Sequence, residues 1–222
     1  MKLAKLLCLS VVSAAIAVVC LPAAAGAMPN LFVNAGFEDP ITADGPPFVG
    51  FWESFSADGD QDAGPDTARV DSSMPRNGAQ ALQLIIDNQL NTFAGVFQDV
   101  DGLSAGQVVN FSGWHKQVSG DAGGIQFRIE YRDSVNGVEI SRTGNFSPTP
   151  GTAYESFLVT DAVPADADTA RVVYAIQSFG GALNQEIYVD DVSFTAIPEP
   201  ASLVLLGVGL TGIGVGYRRR RS

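Results

Sequence analysis

Apolar and polar side chains alternate along much of the chain in short runs, and each run stops at glycine, proline, asparagine or aspartate. Phe127, Ile129 and Tyr131 interleave with Gln126, Arg128, Glu130 and Arg132, the period-two signature of a strand with one wet face. Leu82, Leu84 and Ile86 alternate with Ala81, Gln83 and Ile85, a more mixed pattern. The runs predict strands over Leu31–Asn34, Gly50–Phe55, Ala68–Asp71, Ala79–Ile86, Ala94–Val100, Gln107–Lys116, Gly124–Tyr131, Val138–Thr143, Glu155–Thr160, Thr169–Ser178 and Glu186–Thr195. Turn residues separate them at Asp44-Gly45-Pro46-Pro47, Asn77-Gly78, Asp101-Gly102, Asn136-Gly137 and Ser147-Pro148-Thr149-Pro150-Gly151. Asn136-Gly137 predicts a two-residue hairpin. No 12-residue amphipathic helix and no internal repeat stand out. Short strands at this spacing give an all-β fold, an antiparallel β-sandwich or jelly roll.

Both ends of the 222-residue chain break this pattern. Lys2 and Lys5 precede an apolar run from Leu6 to Leu21, and Ala25 and Ala27 place small side chains where signal peptidase needs them. Residues 1–27 therefore read as a signal peptide, helical in its apolar part and cut after Ala27. Both cysteines, Cys8 and Cys20, fall inside it, so the mature domain would have neither disulfide nor thiolate metal site. Residues 28–197 form the secreted domain, long enough for a sizeable core. At the other end, Pro198-Glu199-Pro200 leads into an apolar stretch from Ala201 to Gly216, then Tyr217 and Arg218, Arg219, Arg220 and Arg221. As a helix, about 16 residues span roughly 24 Å against a hydrocarbon core of about 30 Å. The arginines would stay cytoplasmic.

Charge narrows the partners. Setting aside Lys2, Lys5 and Arg218 to Arg221 leaves 7 of the chain's 13 Lys+Arg between Met28 and Ile197; setting aside Glu199 leaves 23 of its 24 Asp+Glu, a net charge of −16. So acidic a domain repels nucleic acid and can attract divalent cations. His115 is the only histidine, which excludes a two-histidine zinc site and leaves a Ser-His-Asp triad a single candidate base. Asp58-Gly59-Asp60-Gln61-Asp62 imitates the start of a calcium loop, but Ala63 stands where the sharp turn needs glycine and Arg69 where the closing glutamate belongs.

The order Pro-Glu-Pro, short apolar helix, arginine cluster resembles the PEP-CTERM sorting signal of Gram-negative bacteria, over residues 198–222. The resemblance implies processing by an exosortase, transient anchoring through the C-terminal transmembrane helix, and delivery to the cell surface or extracellular matrix.

A second resemblance runs through the domain. Asn30-Leu31-Phe32-Val33-Asn34-Ala35-Gly36-Phe37-Glu38, the following Trp52, Gly78 to Leu84, Phe97 to Val100 with Leu103 to Lys116, and Ile187 to Phe194 are similar to galactose-binding-like, jelly-roll carbohydrate-binding modules. Such modules often carry a structural calcium, held by the glutamate of Gly-Phe-Glu, an aspartate of the last strand and loop carbonyls. Here that implies Glu38 with Asp190 or Asp191. Calcium takes several hard oxygens at about 2.3–2.6 Å, and adjacent residues of a strand point to opposite faces, so only one aspartate can serve. Sugar binding would need exposed rings flanked by polar groups, with Trp52, Tyr131 and Tyr154 the candidates. Trp114 sits among core positions.

These expectations combine into an exported, non-catalytic binding module that contacts extracellular polysaccharide. The alternative is a structural matrix or adhesion protein without glycan binding. A secreted glycoside hydrolase, which needs two carboxylates flanking one bond, ranks third.

Overall fold

A computed structural model describes residues 28–43, 45, 51–59, 64–145 and 148–197. The expected signal helix, the sorting helix, Pro198, Glu199, Pro200 and the arginine cluster lie outside the described residues. So do Asp60, Gln61, Asp62 and Ala63 of the acidic loop. The described residues contain ten strands and no helix: β1 (Glu53–Ser56), β2 (Asp66–Asp71), β3 (Ala81–Ile86), β4 (Phe93–Asp101), β5 (Val108–Gly120), β6 (Ile125–Asp133), β7 (Val138–Arg142), β8 (Glu155–Ala162), β9 (Thr169–Gln177) and β10 (Gln185–Ile197). They form two five-stranded antiparallel sheets, ordered β1-β4-β9-β6-β7 and β2-β3-β10-β5-β8. Consecutive strands switch sheets at every connection except β2–β3 and β6–β7, as in a jelly roll.

The alternation read from sequence sets the packing. Ala94, Val96, Phe127, Ile129, Val172 and Tyr174 face inward from the first sheet, and Leu82, Leu84, Phe111, Phe157, Val189 and Phe194 from the second. Each valine, leucine, isoleucine and phenylalanine among them contributes about 1.5–3 kcal/mol by leaving water. Phe111 meets Phe127 and Phe157 edge-on, with ring centroids 6.4 and 5.2 Å apart, an arrangement that aromatic quadrupoles favour. His115 is buried in this cluster, its Nδ1 2.7 Å from the Tyr174 hydroxyl.

Ten of the eleven expected strands are present; Leu31–Asn34 is not. Asn34 and Phe37 both take left-handed backbone (φ 54° each), which breaks any strand. The segment instead straps the two sheets together. Leu31 N–H donates to Phe194 O (2.8 Å) on the second sheet. On the first sheet, the Gln98 amide imitates a strand partner: its Oε1 accepts Val33 N–H (2.9 Å) and its Nε2 donates to Val33 O (3.0 Å).

The expected two-residue hairpin at Asn136-Gly137 is a four-residue loop. Asp133 pairs with Val138, and the Asp133 carboxylate accepts the N–H groups of Val135 (2.9 Å) and Asn136 (3.1 Å), fixing the longer turn. Beyond it, Ile140 is bulged out of the ladder, because Tyr131 pairs with Ser141 while Arg132 pairs with Glu139. The extra residue turns Glu139 and Arg142 to the same face, where a regular strand would place them on opposite ones.

Candidate ligand-binding face

The outer face of the first sheet carries a strip of phenylalanines. Ala94, Val96 and Val100 of β4 face the core, so Phe93, Phe97 and Asp99 face out. Phe55 of β1 lies between the two rings, 6.0 Å from Phe93 and 6.2 Å from Phe97. Gly95 makes room for it: a Cβ there would stand 2.6 Å from Phe55 Cζ and 2.7 Å from Ala175 Cβ. Phe179, 57% exposed, continues the strip 6.4 Å from Phe93.

Charged side chains take over beside Phe97. The Arg171 guanidinium lies 4.0 Å from its ring centroid and forks onto Asp99 through Nε–Oδ1 and Nη2–Oδ2 bonds, both 2.8 Å. Next to it on β6, Glu130 is only 6% exposed and sits under Arg128 (2.7 Å), Arg142 (3.5 Å) and Arg132 (3.6 Å). Arg142 also forks onto Glu139, and the bonds hold the Glu139 carboxyl below its ordinary range. At the β1 side a groove of about 490 Å³ opens between Leu31, Val33, Phe51, Glu53, Phe97 and Asp99. Glu53 accepts from Thr42 Oγ1 and Gly45 N–H, each 3.0 Å, so its carboxylate braces the 42–45 turn.

The rings chosen from sequence lie elsewhere. Trp52 is 1% exposed, packed 4.8 Å from Phe32 and 5.1 Å from Phe37, with its indole N–H on Asn34 O (3.0 Å). Tyr131 is likewise buried between the sheets. Neither can stack on a sugar, and both assignments are corrected: these rings are core. Tyr154 is partly exposed; its hydroxyl donates to Met74 O (2.9 Å) and Lys116 Nζ lies 4.9 Å from its ring centroid. Trp114 lies half-buried under the Arg76 guanidinium, 3.9 Å from its centroid. Both rings seat the 72–78 loop on the second sheet. The phenylalanine strip was missed, although β4 carried a signal. Asp99 and Asp101 share a strand phase with Phe93 and Phe97, so that phase had to be the wet one.

The three acidic candidates do meet at one turn, Arg76 to Gln80. Glu38 accepts Ala79 N–H at 2.9 and 3.1 Å, and Asp190 accepts Arg76 N–H (2.8 Å) and Asn77 N–H (3.2 Å). Asp191 is turned away and ion-paired to Arg76. Its left-handed backbone (φ 48°) marks the bulge of β10. Asp190 is fully buried, and burial raises its carboxyl pKa despite the amide donors. The pair suits a hard cation in donor type: both are oxygen ligands, and a cation would stabilise the buried charge that amide donors compensate incompletely. No group of three or more His, Cys, Asp or Glu suited to a metal gathers among the described residues, so further ligands would have to be backbone or amide carbonyls or water.

Comparison with known proteins sets this geometry in context. Residues 196–221 match the model of the PEP-CTERM protein-sorting motif. No curated protein sequence matches the chain. Among solved structures, the chain is similar to the enzymatically active domain of bacteriophage CBA120 tailspike protein 4, at 14% identity and a TM-score of 0.57 over 76% of this chain. The match spans 21% of the phage chain. It is also similar to the CBM22-1–CBM22-2 tandem domain of Paenibacillus barcinonensis Xyn10C (19% identity, TM-score 0.51, 80% of this chain and 47% of that one). A CBM4 structure matches at 20% identity and a TM-score of 0.50, over 75% of this chain and 99% of that one. At these identities the likeness is one of fold. The chain is thus an exported protein carrying a PEP-CTERM sorting motif, with a jelly-roll domain of the architecture found in carbohydrate-binding modules.

Proposed function

We propose that the domain binds extracellular polysaccharide on the outer face of its first sheet, and does no chemistry on it. The observation that carries this reading is the strip of Phe55, Phe93, Phe97 and Phe179 running into the Arg171–Asp99 and Arg142–Glu139 pairs on an open sheet face. Pyranose C–H faces stack on rings, and hydroxyls bond to guanidinium and carboxylate edges. An exosortase would process the tail, and the domain would act at the surface or in the matrix of a Gram-negative bacterium.

A ring desolvated by ligand contributes about 1.5 kcal/mol or more, near tenfold in affinity. Phe93→Ala with Phe97→Ala is therefore expected to weaken binding on a glycan array at least tenfold while circular dichroism stays unchanged. Retained binding would move the site off this face. The matrix or adhesion reading would then gain, since Val138 (53% exposed) and Ile140 (41%) leave apolar surface on the edge strand β7.

Calcium held by Glu38 and Asp190 belongs to the same reading, as a brace between the opening segment, the 76–80 turn and the last strand. A ligand at a hundredfold its Kd stabilises by about 2.7 kcal/mol, about 5–10 °C for a domain of this size. Chelation should lower Tm by that much, and Glu38→Ala should mimic it. Identical melting with calcium and with chelator would remove the ion from the account.

A further inference from the structure

The domain's few cations are unevenly placed. Of the seven Lys and Arg between Met28 and Ile197, four stand on the outer face of the first sheet: Arg128 and Arg132 on β6, Arg142 on β7 and Arg171 on β9. They surround three carboxylates, Asp99, Glu130 and Glu139. Asp101, next on the same phase of β4, is turned to Thr169 Oγ1 at 2.9 Å. A domain with a net charge of −16 thus gathers most of its cations at this one ladder, where they balance four carboxylates with Asp101 included. Donors still outnumber acceptors. Four guanidiniums present about twenty N–H donors, and four carboxylates about sixteen acceptor sites. Glu130 alone is shared among three arginines. Arg142 is the most open of the four, its side chain 47% exposed. The Ile140 bulge directs it onto this face.

We propose that the ladder recognises an acidic group on the ligand, so that the polysaccharide stacked on the phenylalanine strip is one bearing carboxylates, a uronate polymer. The inference rests on the polysaccharide reading of this face. Guanidinium is the side chain best matched to a carboxylate, planar and able to bond through two parallel N–H groups. The domain's remaining acids do not cancel the effect. Exposed charges are largely screened beyond about 8 Å at physiological ionic strength, so acids elsewhere on the domain act on a ligand here less than the ladder's own groups do.

The test uses the full chain in detergent. Binding is measured to polygalacturonate, alginate and hyaluronate, each beside its carboxyl-reduced, neutral form. At least one acidic polymer should bind tenfold or more tighter than its reduced counterpart. Arg142→Gln and Arg132→Gln should narrow that ratio toward one, whereas Phe97→Ala should weaken both forms alike. Equal binding of acidic and reduced polymers, or preference for the reduced ones, overturns the uronate proposal and leaves polysaccharide binding standing. A preference that survives both arginine variants overturns the ladder as its source. If no polymer binds in either form, nor any neutral glycan on the array, the polysaccharide reading falls and the uronate proposal with it.

Discussion

Replacing Trp52 by alanine is expected to lower the free energy of unfolding by about 3–5 kcal/mol, the range for losing a large buried aromatic. The indole is enclosed by Phe32 and Phe37 under the strap that joins the two sheets. Its removal opens a cavity there and takes one of two donors from Asn34 O, which also accepts Phe37 N–H (3.1 Å). Urea titration of the full chain should show the transition midpoint moving far down with little change in slope. Trp52→Phe separates the two losses. It keeps most of the packing and loses only the indole hydrogen bond, for about 0.5–1.5 kcal/mol, because Phe37 N–H still pairs the carbonyl. A Trp52→Ala protein that unfolds like wild type but no longer binds glycan would reverse the assignment and return this ring to the binding face.

The second large effect is a loss of stability in acid. Burial among Phe127, Phe157 and Tyr174 pushes the His115 imidazole from 6.5 down to about 4, with Glu155 opposing weakly. The folded protein therefore keeps His115 neutral down to about pH 4, while the unfolded chain takes up its proton near 6.5. Between those values the unfolded state binds more protons, so stability rises with pH. The contribution is complete above pH 6.5 and is lost as pH falls toward 4. A tenfold difference in proton affinity between the folded and unfolded chain is worth about 1.4 kcal/mol, so the imidazole contributes about 3 kcal/mol in all. His115→Gln preserves a hydrogen-bonding group beside the Tyr174 hydroxyl but does not titrate. Its stability should change little between about pH 6.5 and 4.5, where wild type falls steeply. Carboxylates whose pKa is lowered, such as Asp71 and Glu139, lose their contribution nearer and below about pH 4, so the difference between the two proteins isolates the imidazole. Parallel pH curves would mean that His115 is not held neutral in the core.

The fold was legible because jelly-roll strands are short, and their alternation is imposed locally by one wet face and one dry face. The same alternation contained the answer for Tyr131, which shares a phase with Phe127 and Ile129 and had to be core. Taking it as an exposed ring weighed side-chain chemistry above strand phase. Trp52 offered no such guide: Gly50-Phe51-Trp52-Glu53 has no clear phase, and its burial depends on Phe32 and Phe37, brought there by the strap. Strand formation at Leu31–Asn34 failed for a similar reason. Its partner is the Gln98 side chain, 65 positions away, which no local pattern reveals. The phenylalanine strip was hidden because Phe93-Ala94-Gly95-Val96-Phe97 reads as uniformly apolar. Only the aspartates at 99 and 101 show which side meets water. The arginine ladder joins β6, β7 and β9, and so becomes visible only when the sheet assembles.

The path of β10 decides from which end of the sandwich the sorting motif departs. Ile197 ends that strand opposite Val108, at the end of the sandwich where Asp101 closes β4. The sorting motif begins at residue 196, still inside the strand, and only Pro198-Glu199-Pro200 separates the sheet from the apolar run. The sorting motif therefore leaves the sandwich at its Asp101 end. Phe93 lies at the opposite end of β4, eight residues and about 27 Å away at strand rise. The ring strip therefore begins at the end of the sandwich away from the sorting motif and runs toward the arginines, so the proposed ligand face and the processed tail lie at opposite ends of the domain.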